Sequence, residues 1–393
     1  MTTCSFVCDV ADVCSQQAGV VTKRVAIFLV GGIGGGIGSQ GVPSIAALTH
    51  ALAGIFQVSV FSLSPPDSGF RSDDYPIHSP PAWLSGPMRK FRWAWLAASF
   101  AAEHRRAPFH VLYAFWAYPM GAFVVGLAAL VARPTVIAVL GAEAAFVPSI
   151  QYGFLVHPAT RRLVLETCER ASALVVLSGE QRESLHRHGL RRTVEVIPFG
   201  VEPTMFRQRA MDRHPPLKIL NVANLTPVKD QTTLLRAFAI LRATMAAKLR
   251  LVGPDHMGGR LQELALTLGV QDDVEFVGPV PYEAIATHYD WADIFLLTSL
   301  YEGQNVALVE AAMSGVLLVS TPVGCIRDLG ERAAVVVRMG DASDIAAKIR
   351  AIAPDREQWD GKVRVARSWA ESHDFQWTVD RTTRVLERVG SWK

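Results

Sequence analysis

The feature that most constrains this chain is a repeated alternation. Short, nearly unbroken apolar runs at residues 25–30, 57–63, 109–114, 135–140, 173–177 and 194–198 are separated by stretches of helical periodicity, such as 44–53 and 159–171. The runs are rich in β-branched and aromatic residues. A strand that is apolar on both faces is a parallel strand with helices packed above and below it. The order strand, helix, strand then implies βαβ units with right-handed crossovers. The alternation pauses at 202–216, where Pro203, Pro215 and Pro216 give a linker composition. A second series follows, with runs at 217–223, 248–252, 274–277, 294–297, 317–320 and 333–337 and helical stretches at 231–243 and 261–268. Residues 358–388 read as amphipathic helix. The expected fold is α/β: two Rossmann-like doubly wound domains in series, with a ligand cleft between the C-terminal ends of their strands.

Composition agrees with that size of fold. The chain has 393 residues, half of them hydrophobic and 19% charged, enough for two large cores and against disorder. A mean hydropathy of +0.22 raises the question of a membrane. The longest apolar run, 120–132, is shorter than the roughly 20 residues a spanning helix needs. It is expected to be a buried helix behind a sheet. The net charge of +3 gives no argument for nucleic acid. Residues 88–96, MRKFRWAWL, alternate basic and aromatic side chains. Arg89, Lys90, Arg92, Trp93 and Trp95 therefore read either as a peripheral membrane contact or as a helix with a basic outer face and an apolar inner one. The five cysteines are scattered, and Cys4, Cys8 and Cys14 match no zinc spacing. Residues 1–22 lack the basic and apolar blocks of a secretory signal and are expected to be a disordered tail on a cytoplasmic protein.

Three segments carry chemistry. The loop after the first strand, from Leu29, reads LVGGIGGGIGSQGVPS. Its glycines let backbone approach a ligand, and the following helix offers free N–H groups to a phosphate. So glycine-rich a run matches G-x-G-x-x-G loosely at Gly31 and Gly34, and no acidic residue ends the second strand, so a dinucleotide is not favoured. In the second half, NVANLTPVKDQTT ends a strand near Ala223 and starts a helix near Gln231. Asn224 and Lys229 lie on the loop between, where a lysine is a point charge suited to a diphosphate, or an ordinary exposed loop residue. Finally, residues 298–315, TSLYEGQNVALVEAAMSG, place Glu302, Gly303 and Gln304 on a loop. Asn305 caps a helix that carries Glu310 and ends at Gly315. Two carboxylates there can hold the hydroxyls of a polyol, and the helix N-terminus can stabilise a leaving phosphate. The plainer reading, a turn residue and a surface helix carboxylate, fits the small and apolar surroundings poorly.

Together these segments resemble the retaining GT-B glycosyltransferases of family 4. Glu302 and Glu310 have the spacing of the family's E-x7-E motif; residues 196–206, VIPFGVEPTMF, are similar to its pre-hinge element, and residues 40–44, QGVPS, to its first glycine turn. The resemblance implies an acceptor-side domain at 23–203, a nucleotide-sugar domain at 204–372, and a C-terminal helix at 373–393 that returns to the first domain. It implies that Glu310 binds the ribose, while Glu302 and the backbone of Gly303, Gln304, Asn305 and Val306 hold sugar and phosphates. Lys229 would bind the diphosphate, with Asn224 beside it. Val277 and Gly278 would flank the base, and Gly41 would approach the phosphates. Three positions depart from the family's pattern. Asn224 stands where many relatives have arginine, Leu140 where many have histidine, and Cys325 replaces a glycine. Glu143 occupies the acidic position after Leu140 and is assigned to the acceptor or sugar side.

The implied reaction uses a UDP-sugar or GDP-sugar donor and a saccharide or lipid-linked acceptor, in bacterial polysaccharide, lipopolysaccharide or glycolipid assembly. No cofactor is expected, and no D-x-D cluster points to a metal. Two other readings remain: a nucleotide-sugar epimerase on the same fold, and a non-catalytic nucleotide-sugar-binding subunit, motivated by Asn224 and Leu140.

Overall fold

The computed structural model describes residues 23–31, 33–34, 42–66, 70–208 and 214–390. The tail at 1–22 and Gly41 lie outside the described residues, as does most of the glycine-rich loop. Seven parallel strands form the first sheet: β1 (Arg24–Leu29), β2 (Gln57–Ser62), β3 (Ile77–His78), β4 (Val111–Phe115), β5 (Thr135–Val139), β6 (Ala173–Val176) and β7 (Glu195–Val196), in the order β3-β2-β1-β4-β5-β6-β7. Six parallel strands form the second: β8 (Leu217–Val222), β9 (Ala247–Val252), β10 (Val274–Gly278), β11 (Ile294–Leu297), β12 (Leu317–Ser320) and β13 (Ala334–Val336), in the order β10-β9-β8-β11-β12-β13. Every residue of β1, β4, β5, β11 and β12 is buried, which explains their unbroken apolar sequences. In each sheet the order reverses beside the first strand, which opens a crevice at the strands' C-terminal ends.

The cores follow the faces of the sheets. Val25, Ile27 and Leu29 of β1 pack on one side of the first sheet, and Ala26 and Phe28 on the other. The chain then crosses between domains twice, at 197–206 and near 373. Helix Arg356–Ser372 buries Trp359 and Val363 in the second domain. Asp374 caps the next helix, Phe375–Val389, whose Val379, Val385 and Leu386 join the first domain's core. The two crossings are tied together: Gly200 N–H donates to Thr378 Oγ1 at 2.8 Å and Phe375 N–H to the Val201 carbonyl at 3.1 Å. A Cβ on Gly200 would lie 2.1 Å from the Asp374 carbonyl, so only glycine lets the crossings meet.

The structure departs from the sequence expectations in three places. Strand β3 was not expected, because two residues between prolines carry no readable period. The helical stretch at 358–388 is two helices, broken at His373 and Asp374. The apolar run at 120–132 does form a helix packed behind the first sheet, but only one face of it is buried. Helix Ala122–Val131 buries Val124 and Ala128 and leaves Leu130 84% exposed. The basic–aromatic run takes the second of its two expected arrangements, with Trp93 and Trp95 packed against the first domain's core and Arg89 and Lys90 exposed. Trp93 sits 4.9 Å from the Phe123 ring. Among the described residues no helix is long and apolar enough to cross a membrane.

Candidate functional site

Lys229 and Glu302 sit on equivalent loops, after β8 and after β11, neighbouring strands in the middle of the second sheet. Thr298 fastens the loops together, since its Oγ1 donates to the carbonyls of Lys229 at 3.1 Å and Asp230 at 3.0 Å. Asp230, in left-handed backbone at φ 49°, caps helix Gln231–Arg242 through the Thr233 N–H. Lys229 Nζ is thereby held 2.6 Å from both oxygens of the Glu302 carboxylate. Glu302 Oε1 also accepts from Ser299 Oγ at 2.6 Å and Asn305 Nδ2 at 3.0 Å. Asn305 has a second task. Its Oδ1 accepts the Leu308 N–H at 2.9 Å and caps helix Val306–Met313, from a left-handed φ of 72° that asparagine tolerates better than most residues. One side chain therefore both starts the helix and aims Glu302.

Glu310 lies along that helix and is buried. Burial pushes its carboxyl up to about 7, and the phenol hydrogen bonds of Tyr289 and Tyr282 offset only part of the shift. Tyr289 OH donates to Glu310 Oε2 at 2.6 Å. Both tyrosines in turn carry the Phe206 ring, at 5.8 Å from Tyr289 and 6.4 Å from Tyr282. Phe206 belongs to the interdomain linker, so the carboxylate assigned to the ribose is braced by the hinge. The sequence reading missed both tyrosines. Their spacing of seven residues, in PYEAIATHY, places them on one helical face and was the available signal.

The remaining assignments divide. Val277 sits at a register shift in β10 and packs partly into the second core. Gly278 adopts φ 80°, and a Cβ added there would meet nothing within 4 Å, so its glycine serves the backbone turn. Asn224 is exposed and its carbonyl accepts from Gln231 Nε2 at 3.1 Å. Val306 opens the helix that carries Glu310. The side chain of Gln304 does not face a ligand. It is buried and pairs with the first crossing like a strand neighbour, accepting the Phe199 N–H at 2.8 Å and donating to the Phe199 carbonyl at 2.7 Å. Glu143 also differs from its assignment. It is buried, with Oε1 taken by the Ala117 N–H and Oε2 by the Gly141 N–H, both at 3.0 Å. Its carboxylate shapes the loop after β5 and is not presented to the cleft.

The first domain closes onto this site. Ser178 Oγ donates to the Gly303 carbonyl at 2.6 Å, and Gly179 N–H donates to Asp328 at 2.9 Å. A Cβ on Gly303 would lie 2.1 Å from the Leu140 carbonyl oxygen. The position where a histidine was expected is thus a backbone contact against the glycine of the donor loop. A small apolar cluster seals the edge, with Ala145 and Tyr152 from one domain and Val228 and Tyr301 from the other. Cys325 finds a local use: its thiol and its N–H both reach the Gln304 carbonyl at 3.3 Å. Among the described residues no group of three or more His, Cys, Asp or Glu side chains converges as metal ligands would.

A family model described as Glycosyl transferases group 1 matches residues 216–355, and one described as Glycosyltransferase Family 4 matches residues 43–204. The chain is 31% identical over 207 residues to the amylovoran biosynthesis glycosyltransferase AmsK of Erwinia amylovora, covering 50% of this chain and 51% of AmsK. It spans about half the length of the curated relatives it matches. In structure it is similar to a sucrose-phosphate synthase of Thermosynechococcus elongatus, with a TM-score of 0.76, 17% identity, and coverage of 93% of this chain and 98% of the other. It is also similar to HepE of Anabaena, solved in complex with UDP and glucose, with a TM-score of 0.74, 15% identity, and coverage of 93% and 100%. These two likenesses are of fold.

Proposed function

The chain belongs to the family 4, group 1 glycosyltransferases of GT-B fold, and from that premise we propose that it transfers a sugar from a nucleoside diphosphate donor to an acceptor hydroxyl with retention. The observation that carries the reading is the meeting of Lys229 and Glu302 on adjacent strand–loop–helix junctions, with Glu310 one helix away. Lys229 and the N-terminus of helix Val306–Met313 offset charge on the departing diphosphate. Glu302, aimed by Ser299 and Asn305, receives the sugar hydroxyls, and Glu310 the ribose. The bond from the anomeric carbon to the diphosphate oxygen breaks. The acceptor oxygen bonds to that carbon on the same face, and its proton passes to the departing phosphate. Domain closure at Gly303 and Leu140 excludes water, which favours transfer over hydrolysis.

The donor is a UDP-sugar or a GDP-sugar, and the acceptor a saccharide in polysaccharide or glycolipid assembly, in line with the amylovoran pathway named for AmsK. A thermal-shift screen against UDP-sugars and GDP-sugars identifies the donor. Transfer and donor hydrolysis are then measured on Lys229→Ala, Glu302→Ala and Glu310→Ala. Undiminished transfer in all three removes the site assignment. Donor binding without turnover on any acceptor points to a non-catalytic subunit, and an epimerised sugar released without acceptor to an epimerase.

A further inference from the structure

The donor site does not use a cavity of about 590 Å³ at the C-terminal edge of the first sheet. Leu63 and Ser64, which follow β2, line one side of it, and Val30, which follows β1, lies beside them. The other side is built by Arg89, Lys90, Arg92 and Trp93, from the turn Gly86–Phe91 and the start of helix Arg92–Arg106. Among the described residues none of these three cations forms an ion pair with a carboxylate. Arg92 Nε is buried and has no hydrogen-bond partner. Trp93 packs against the Phe123 ring and lines the cavity with its indole.

Arg92 Nε lies beneath the surface, so it is the outer N–H groups of the guanidinium that can face the cavity. Three cations without carboxylate partners at one cavity repel one another, a cost that a bound anion relieves. Arginine matches phosphate oxygens with a planar pair of donors, and lysine adds a point charge. The cavity shares its sheet edge with Leu140, which follows β5 and abuts Gly303. In the sheet order β2 and β5 are three strand spacings apart, roughly 14 Å at about 4.8 Å each. A molecule anchored there by a charged end can extend its neutral end toward Glu302.

We propose that this cavity binds the anionic group of the acceptor, a phosphate ester carried either on a saccharide or on a lipid. The proposal rests on the transferase reading of the cleft and adds the chemical class of the acceptor. It also gives the basic run a role that does not need Trp93 and Trp95 on the surface.

The test compares wild type with the double variant Lys90→Gln, Arg92→Gln. Calorimetry with glucose 6-phosphate and with glucose forms one arm. Sedimentation with phosphatidylglycerol–phosphatidylcholine vesicles and with phosphatidylcholine vesicles forms the other. The expected result is binding of the phosphorylated probe at least about tenfold tighter than its neutral counterpart in one arm, lost in the double variant. Preference for glucose 6-phosphate assigns the ester to a saccharide, and preference confined to anionic vesicles assigns it to a lipid. No preference in either arm, or a preference that the double variant retains, overturns the proposal. Binding of UDP and of GDP, measured on both proteins, checks folding. Absence of both from wild type would count against the donor site and leave the cavity readout standing.

Discussion

Lys229 Nζ lies 2.6 Å from each carboxylate oxygen of Glu302, so the two side chains assigned to the donor's phosphates and sugar are paired with each other. Glu302 is buried, and Ser299 and Asn305 hold it in place whether or not the lysine stays. Removing the lysine alone leaves a largely desolvated carboxylate without its counter-charge. We expect Lys229→Ala to lower the unfolding free energy by about 1–3 kcal/mol and transfer by roughly 100-fold. In urea unfolding, the double variant with Glu302→Ala should recover part of that loss, a coupling of about 1–3 kcal/mol. Strict additivity would show that the pair is not an energetic unit.

Glu310 makes donor binding and stability respond to pH in opposite directions. Its carboxyl titrates near 7 in the folded chain because burial disfavours the anion, against about 4.3 when unfolded. The folded state therefore holds this proton more tightly. The stability it contributes is complete below about 4.3 and is lost as pH rises through about 7. The ribose hydroxyls need the anion as acceptor, so affinity for the intact nucleotide-sugar donor, whose diphosphate does not titrate in this range, should fall as pH drops through about 7. Glu310→Gln should bind that donor more weakly with a flat pH profile and flatten this part of the stability curve. A wild-type affinity that is level between pH 6 and about 8 contradicts this assignment.

Gly303 is the point where closure touches the donor loop. Gly303→Ala would set a methyl 2.1 Å from the Leu140 carbonyl oxygen and 3.0 Å from Gln181 Nε2. Backbone on both sides must give, and the cheapest way is for the domains to part. We expect UDP affinity within a few-fold of wild type, transfer reduced by at least about 100-fold, and a larger radius of gyration in X-ray scattering. A fully active, equally compact variant would show that closure at this contact is dispensable.

Gln304 pairs with Phe199 through both halves of its amide. Gln304→Glu keeps the acceptor for the Phe199 N–H and loses the donor to the carbonyl. It also buries a charge against that carbonyl oxygen. The expected loss is about 1–3 kcal/mol in chemical denaturation, recovered when the medium is acidified enough to protonate the new carboxyl. An unchanged midpoint would mean that the hinge does not depend on this pair.

The sequence by itself determined what is local. Unbroken apolar runs are fully buried strands such as β1, β5 and β11, because a parallel strand has helices on both faces. Asn305 caps its helix, because a cap is decided within three residues. The spacing of Glu302 and Glu310 was legible for the same reason: both ride on one loop and helix. Tertiary structure decided whatever joins distant positions. Lys229 meets Glu302 across 73 positions, Gln304 meets Phe199 across 105, and Ser178 meets Gly303 across 125. No periodicity encodes such pairs. They arise when two sheets put their loop ends into one crevice and buried polar groups must find partners there. Glu143 is the counterpart. Its sequence position matched a ligand-facing acid, yet the fold left two unpaired backbone N–H groups beside it, and its carboxylate satisfies those.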